Sequence, residues 1–192
     1  MDPLYPFVFF GLFSPGPNVI LLTASGARFG FRATLPHVFG VALGVGIVAG
    51  LTGLGIAALL LAQPALAFAL KIAAAFWIFW MALSLWRSSA SGGSSAGARP
   101  FTMIEAILFQ WVNPKLWAVA LAAASGYAAG LSPVEEAQRL AIAFSGLNLF
   151  VCLFWTWAGS LLALLLTTPL AWQIFSRVMA TGLAASAVMV FF

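Results

Sequence analysis

Two stretches of this sequence decide its fold: FSPGPNVILL at Phe13–Leu22 and FQWVNPKLW at Phe109–Trp117. Each places proline inside an apolar segment of about 20 residues, the length that crosses the hydrocarbon core of a bilayer. Proline within a helix removes a backbone hydrogen bond and clashes with the preceding turn, and lipid offers the freed carbonyls no partner. The two stretches therefore predict two broken membrane helices whose exposed backbone faces protein or a wet cavity.

The composition agrees with a membrane protein. Of the 192 residues, 64% are hydrophobic and 6% are charged, against roughly 45 to 50% and about 25% in soluble domains. The mean hydropathy of +1.09 points the same way. The twelve charged residues lie one or two at a time between apolar runs, so the net charge of +4 does not form a nucleic-acid-binding face. With Cys152 as the single cysteine and one histidine, we expect no disulfide, no metal site and no cofactor.

The apolar runs predict an all-α integral membrane protein with six transmembrane helices. The first run follows Asp2 rather than a basic stretch, so it fits a signal peptide poorly and we expect it to be retained. The second run is rich in glycine, which lets helices approach closely in lipid or pair in a homodimer. The predicted spans are Leu4 to Ala24, Val38 to Ala62, Ala65 to Trp86, Ile104 to Tyr127, Leu140 to Leu166, and Leu170 to Phe192.

A Gly/Ser-rich tract, SSASGGSSAGAR, divides these six spans into two halves. Such a composition has too little apolar surface to pack and is typical of a flexible linker. We therefore divide a single membrane domain, 1–192, into a first three-span half at 1–87, a linker at 88–100 and a second three-span half at 101–192.

The loop charges predict the orientation. Arg28 and Arg32 lie between spans one and two, and Arg87 and Arg99 lie between spans three and four. Loops rich in arginine stay in the cytoplasm. For six spans, both termini and the acidic loop with Glu135 and Glu136 would then lie on the outer side of the membrane.

The two halves resemble each other. A shift of 100 positions aligns ASG at 24–26 with ASG at 124–126, and each half opens with a span broken by proline at nearly the same register. An odd number of spans per half inverts the second half relative to the first. Matched breaks in inverted halves indicate a transporter site near the midplane, where half-helix N-termini offer N–H groups to an anion. The alternative is that these prolines only kink the helices for packing.

The sequence resembles the LysE/RhtB translocator family, small inner-membrane exporters of amino acids and related metabolites. The resemblance runs from Phe9 to the C-terminus and rests on the PGP of span one and the NPK of span four. It implies efflux of a small metabolite driven by the proton gradient. The third span departs from the family pattern at Ala74, Trp77 and Ala82, so the substrate pocket is expected to differ in shape.

Polar residues cluster at both breaks, and we assign them to substrate binding. Lys115 would contact a substrate carboxylate, although it could equally neutralise helix-end carbonyls, because a charge within a span costs at least about 2.5 kcal/mol. The amides can donate to a carboxylate and accept from an ammonium group. The predicted binding residues are Pro15, Gly16, Pro17, Asn18, Gln110, Asn113, Pro114 and Lys115.

The residue that couples transport to protons is harder to identify. Glu105 is the carboxylate nearest a span, and His37 is the side chain whose ordinary pKa lies near neutrality. Lys71 is a third candidate, but a lysine near the outer face can extend to the interface. For each of the three, an ordinary interfacial residue is the alternative and the more common role.

The leading function is therefore a secondary transporter of amino acids. An integral membrane enzyme is the first alternative, and it lacks acid, base and nucleophile candidates at one depth. A membrane scaffold subunit is the second, and it leaves the polar residues at the breaks unexplained. No phosphate-binding loop supports an ATP-driven mechanism.

Overall fold

The computed structural model describes residues 2–56, 62–88 and 99–188, and all regular structure in those ranges is helical. Residues 89–98, most of the predicted linker, lie outside the described residues, as do 57–61 at the end of the predicted second span. The helices are α1 (Leu4–Phe13), α2 (Pro17–Phe29), α3 (Phe31–Gly53), α4 (Pro64–Ser88), α5 (Met103–Trp111), α6 (Pro114–Gly126), α7 (Pro133–Leu162) and α8 (Pro169–Val188).

The first predicted span is broken where its prolines lie. Helices α1 and α2 meet at an angle of 56° across a three-residue gap. Gly16 has extended backbone, and Pro17 then occupies the first turn of α2, where its missing N–H removes no helical hydrogen bond. The break therefore gives α2 an N-terminus of its own inside the apolar segment.

The fourth predicted span is broken in the same way. Helices α5 and α6 meet at 64°, Asn113 is extended, and Pro114 opens α6. Upstream, Thr102 and Glu105 form a reciprocal capping box that fixes the start of α5. Both broken helices of the prediction are confirmed.

Three of the described helices are long and apolar enough to cross a membrane, or five when each bent pair counts as one span. Helix α8 covers most of the predicted sixth span, but its described part does not pass the same test. It contains Gln173, Ser176 and Arg177, and the four apolar residues at 189–192 are not described. The all-α membrane architecture is established, and the count of six spans stays a prediction.

The predicted acidic loop is instead helical. Glu135 and Glu136 lie in the first turn of α7, which begins at Pro133, seven residues before the predicted span at Leu140. Ser132 causes the difference, because its hydroxyl accepts from the Glu135 backbone N–H while the Glu135 carboxylate accepts from the Ser132 N–H. Similarly, α3 starts at Phe31 because Gly30, at φ 83°, provides the sharp turn directly before it.

Helix α3 lies at the centre, packed against α5, α6 and α7. Its glycines form the contacts: a Cβ at Gly44 would lie 2.7 Å from Gln110 Cγ, and one at Gly46 would lie 2.9 Å from Ser145 Cβ. Gly40, Gly50 and Gly53 face other helices in the same manner. This glycine face therefore serves packing within the chain, and the possible homodimer stays a prediction.

Helices α2 and α7 cross at two reciprocal glycines. A Cβ on Gly26 would collide with the Thr156 carbonyl oxygen, and a Cβ on Gly159 would collide with the Thr23 carbonyl oxygen. Cys152 is buried nearby on α7. This close crossing fixes the part of the first span that follows the break.

Candidate functional site

The two helix breaks meet in space. The Asn18 amide at the start of α2 donates to Gln110 Oε1 at 2.8 Å, and the Gln110 amide donates back to Asn18 Oδ1 at 3.1 Å. Gln110 lies at the end of α5, so this reciprocal pair joins one break to the other. Asn18 and Gln110 are 92 positions apart, and each was predicted as a binding residue because it lies next to a proline break. The structure places them in direct contact.

Asn113 extends this amide pair. Its Nδ2 donates to Gln110 Oε1 at 3.3 Å, whereas its Oδ1 is buried with no hydrogen-bond partner among the described residues. Gln110 also donates to the carbonyl of Ala106, one turn back on α5. A buried amide oxygen without a partner costs free energy and is available to a donor on a bound molecule.

Lys115 lies on the other side of the same junction. Its ammonium donates to the Ser14 carbonyl, and the Pro15 carbonyl is 3.4 Å from Nζ. These are carbonyls that the first break frees from helical hydrogen bonding. The stem of Lys115 passes over Gly16, where an added Cβ would lie 2.6 Å from Lys115 Cδ, which explains glycine between the two prolines.

A cavity of about 20 Å³, which we call the break cavity, lies at this junction. That volume holds about one water molecule, so the junction between the two breaks is closed to a larger molecule. Five predicted binding residues line it, and Gln110 contacts Asn18 at its edge. Gly16 and Pro17 line it, and its polar side chains are those of Asn18, Asn113, Lys115 and Asn148.

The sequence analysis did not place Asn148 in the site. This side chain is 2% exposed on α7, and its Nδ2 has no hydrogen-bond partner among the described residues. A lone amide in the middle of a long apolar helix was the available signal, because polar groups in membrane spans face the protein interior and mark functional positions.

The other two predicted binding residues, Pro15 and Pro114, interrupt the helices at the breaks. Pro15 is exposed in the gap between α1 and α2, and Pro114 is half-buried at the first position of α6. Neither proline can donate a backbone hydrogen bond. Their contribution is to keep the two half-helix N-termini free.

The three coupling candidates lie in three different surroundings. Glu105 accepts two hydrogen bonds from Arg99, at 2.6 and 2.7 Å, and caps α5 through Thr102. Lys71 is exposed on α4. His37 is 2% exposed, and neither of its ring nitrogens has a hydrogen-bond partner among the described residues. The structure does not bring the three together.

An ion-pair network ties the N-terminal segment to α7. Arg139 contacts Asp2 at 2.7 Å and Glu136 at 2.8 Å, and it donates to the Tyr127 carbonyl at 2.9 Å. The hydrogen bond from Arg139 lowers the pKa of the Asp2 carboxyl below its ordinary value of 3.8. This network joins the beginning of α1 to the segment between α6 and α7.

Within the described residues, no group of three or more histidine, cysteine or acidic side chains is placed to hold a metal ion. The polar side chains of the junction are hydrogen-bonding groups. Amides and one ammonium group surround two helix N-termini.

Comparison with known proteins decides the family. The model of the LysE type translocator family matches residues 9–192, nearly the whole chain. The chain belongs to the LysE type translocator family. This LysE-type chain is therefore a membrane protein of a transporter family, as its broken apolar helices indicated.

Relatives of this LysE-type chain are also membrane proteins. An uncharacterized membrane protein of Pseudomonas aeruginosa is 30% identical over 119 residues, covering 56% of this chain and 54% of the relative. An uncharacterized membrane protein of Vibrio cholerae is 32% identical over 107 residues, covering 53% and 52%. The chain thus spans about half the length of the curated relatives that it matches. No solved structure matches it.

Proposed function

We propose that this protein is a secondary transporter that exports amino acids or related small metabolites across the bacterial inner membrane. One observation supports this proposal above the others: two proline-broken helices from opposite halves of the chain meet through an amide pair, Asn18 with Gln110. Helices kinked only for packing do not require buried amides and a lysine at the same junction.

In this proposal the junction binds the substrate when it opens. The N-termini of α2 and α6 offer unpaired N–H groups and positive dipole ends to a carboxylate. The Lys115 ammonium leaves the Ser14 and Pro15 carbonyls and pairs with the substrate carboxylate. Asn113 Oδ1 and Asn18 Oδ1 accept hydrogen bonds from the ammonium group of the substrate. The contacts that close the empty junction are then the ones that the substrate replaces.

The proposal includes two inverted three-helix repeats, with six spans and both termini in the periplasm. The halves rock about the junction, exposing it to each side in turn. The proton gradient drives efflux, and Glu105, His37 and Lys71 are the candidate coupling residues. The amino-acid substrate and the bilayer are the proposed partners.

An efflux panel tests the proposed function. Cells are loaded with dipeptides that release one amino acid each, and export is followed with and without the protein and an uncoupler. We expect faster export of at least one amino acid with the protein, and loss of that gain with the uncoupler. Equal export of every amino acid and of related carboxylates in both cell types would contradict the proposal.

A further inference from the structure

Two buried amide side chains in the break cavity each have an atom without a partner. Asn148 Nδ2 on α7 and Asn113 Oδ1 at the start of α6 have no hydrogen-bond partner among the described residues, and each residue is 2% exposed. Both residues line the cavity. One atom is a donor and the other is an acceptor, so together they match a ligand that carries both kinds of group.

The Asn148 amide is costly where it lies. A buried donor without a partner costs free energy, and lipid around a membrane span offers no replacement. Val151 and Cys152, on the next turn of α7, line the same cavity with apolar side chains and no such cost. The amide therefore points to a partner that the described residues do not supply.

The other polar side chains of the junction already have partners. Asn18 is paired with Gln110 at 2.8 and 3.1 Å, and the Lys115 ammonium donates to the Ser14 carbonyl. A substrate has to displace these contacts before it can use the same groups. Asn148 Nδ2, by contrast, gives up no hydrogen bond to a described residue when it binds a substrate.

Helix α7 holds Asn148 against the junction. Asn148, Cys152 and Thr156 follow one another at intervals of four residues, so they lie on one face of the helix. That face packs on α2, because a Cβ on Gly26 would collide with the Thr156 carbonyl oxygen. The helix is continuous over Pro133–Leu162 and also contacts α1 and α3. A side chain on such a helix is positioned more precisely than one on a loop.

We propose that Asn148 is a substrate-binding residue whose Nδ2 donates to the substrate carboxylate, beside Lys115. Asn113 Oδ1 accepts from the substrate ammonium group, so a single α-amino acid satisfies both unpartnered atoms. The bound substrate then joins α7, an unbroken helix, to the two broken ones. This inference rests on the proposed export function, and it adds a third helix to the site and a requirement for a free carboxylate.

Direct binding to the purified protein in nanodiscs of phosphatidylcholine tests this role. The common L-amino acids are titrated first, and the tightest binder is then compared with its own carboxamide derivative. In Asn148→Leu the affinity for the amino acid should fall at least about tenfold, since a hydrogen bond to a charged group is lost. The carboxamide should lose several-fold less, because its oxygen is neutral. An equal loss for both ligands, or no loss for either, would overturn the inference.

Thr156→Val is the matched control. Thr156 is fully buried on the same face of α7, and its Oγ1 also has no hydrogen-bond partner among the described residues. It does not line the break cavity. Thr156→Val should therefore bind the amino acid as tightly as wild type does. A loss as large as that in Asn148→Leu would show a general effect of changing α7 and would overturn the binding role.

The stability of the ligand-free protein separates binding from support. Asn148→Leu removes a donor that has no partner among the described residues, so its Tm without amino acid should equal or exceed that of wild type. An amide that serves the fold alone, directly or through a bound water, would give a lower Tm and an unchanged affinity. Asn148→Ala removes the same donor with a smaller side chain, and it should show the same loss of affinity.

The same titrations distinguish this inference from the proposed function. If wild type binds and exports an amino acid and Asn148→Leu does so equally well, the inference is wrong and the proposed function stands. If wild type binds amino acids in an Asn148-dependent manner but exports none, the inference stands and the proposed function is wrong. If no common amino acid binds to wild type, the inference is overturned, and the efflux panel alone then decides the proposed function.

Discussion

Lys115 shows how one residue serves both structure and proposed function. Its ammonium donates to carbonyls of the first break, so the charge is compensated within the chain when no substrate is present. The same group is the one cation that lines the break cavity among the described residues. Lys115 thus joins the two broken helices together with the amide pair of Asn18 and Gln110.

Replacing Lys115 by Gln should reduce export more than it reduces the amount of protein in the membrane. Gln still has an amide that can donate to the carbonyls, but it lacks the charge that would bind a carboxylate. The affinity for the substrate should therefore fall about ten- to a hundredfold. Efflux normalised to membrane protein measures this. Arg32→Gln is the control, because Arg32 is exposed and is neither a binding nor a coupling candidate, and an equal loss in both variants would contradict a binding role.

Asp2 gives a pH dependence with a definite sign. Its folded-state pKa lies below the unfolded value because Arg139 stabilises the carboxylate. The stabilisation is therefore complete above the unfolded pKa and is lost as the pH falls through the folded pKa. The Tm difference between wild type and Asp2→Asn should be constant from about pH 5 to 8 and shrink below about pH 4. A difference that grows on acidification would contradict the ion pair.

At the scale of elements, proline chemistry made both helix breaks predictable. The beginning of α7 was not predicted, because the charges at Glu135 and Glu136 were interpreted as a loop although Ser132 supplies a helix cap. The cavity of about 590 Å³ beside α4 was not predictable, since its lining comes from three helices and the segment before α5. Local rules specify where a helix ends, but they do not specify which distant side chains share a cavity.

Removing either break should impair function without removing the protein. Pro15→Ala combined with Pro17→Ala, or Pro114→Ala alone, permits a continuous helix, which is locally more stable and pairs the N–H groups that we assign to substrate. Export should fall several-fold more than the amount of membrane protein. A parallel fall in both quantities would favour kinks that serve packing alone.

The whole molecule has a glycine-packed centre, α3 with α7 and the broken helices, and an outer pair, α4 with α8. Helix α4 exposes large aromatic residues, Phe76 and Trp80 among them. A cavity of about 590 Å³ lies beside α4, and the junction of the two breaks lies within the centre. Sequence analysis predicted the membrane class and the two helix breaks, whereas the contact between the breaks is seen only in the structure and the number of spans stays a prediction.

The proposed orientation can be measured with single cysteines in a Cys152→Ala background. Leu131→Cys, in the exposed segment before α7, should react with an impermeant thiol reagent in whole cells. Ser94→Cys, in the linker outside the described residues, should react only after the cells are permeabilised. The reverse pattern would contradict periplasmic termini.

The central claim is that the two broken helices part during export, and a cross-link tests it most directly. Gly11 on α1 faces Val119 on α6, and a Cβ at Gly11 would lie 3.9 Å from the Val119 Cβ, within the range of about 3.5 to 4.5 Å for a disulfide. Gly11→Cys with Val119→Cys, in a Cys152→Ala background, should cross-link on oxidation and stop efflux from proteoliposomes, and reduction should restore it. Each single variant should export whether oxidised or reduced. Full efflux from quantitatively cross-linked protein would contradict the account.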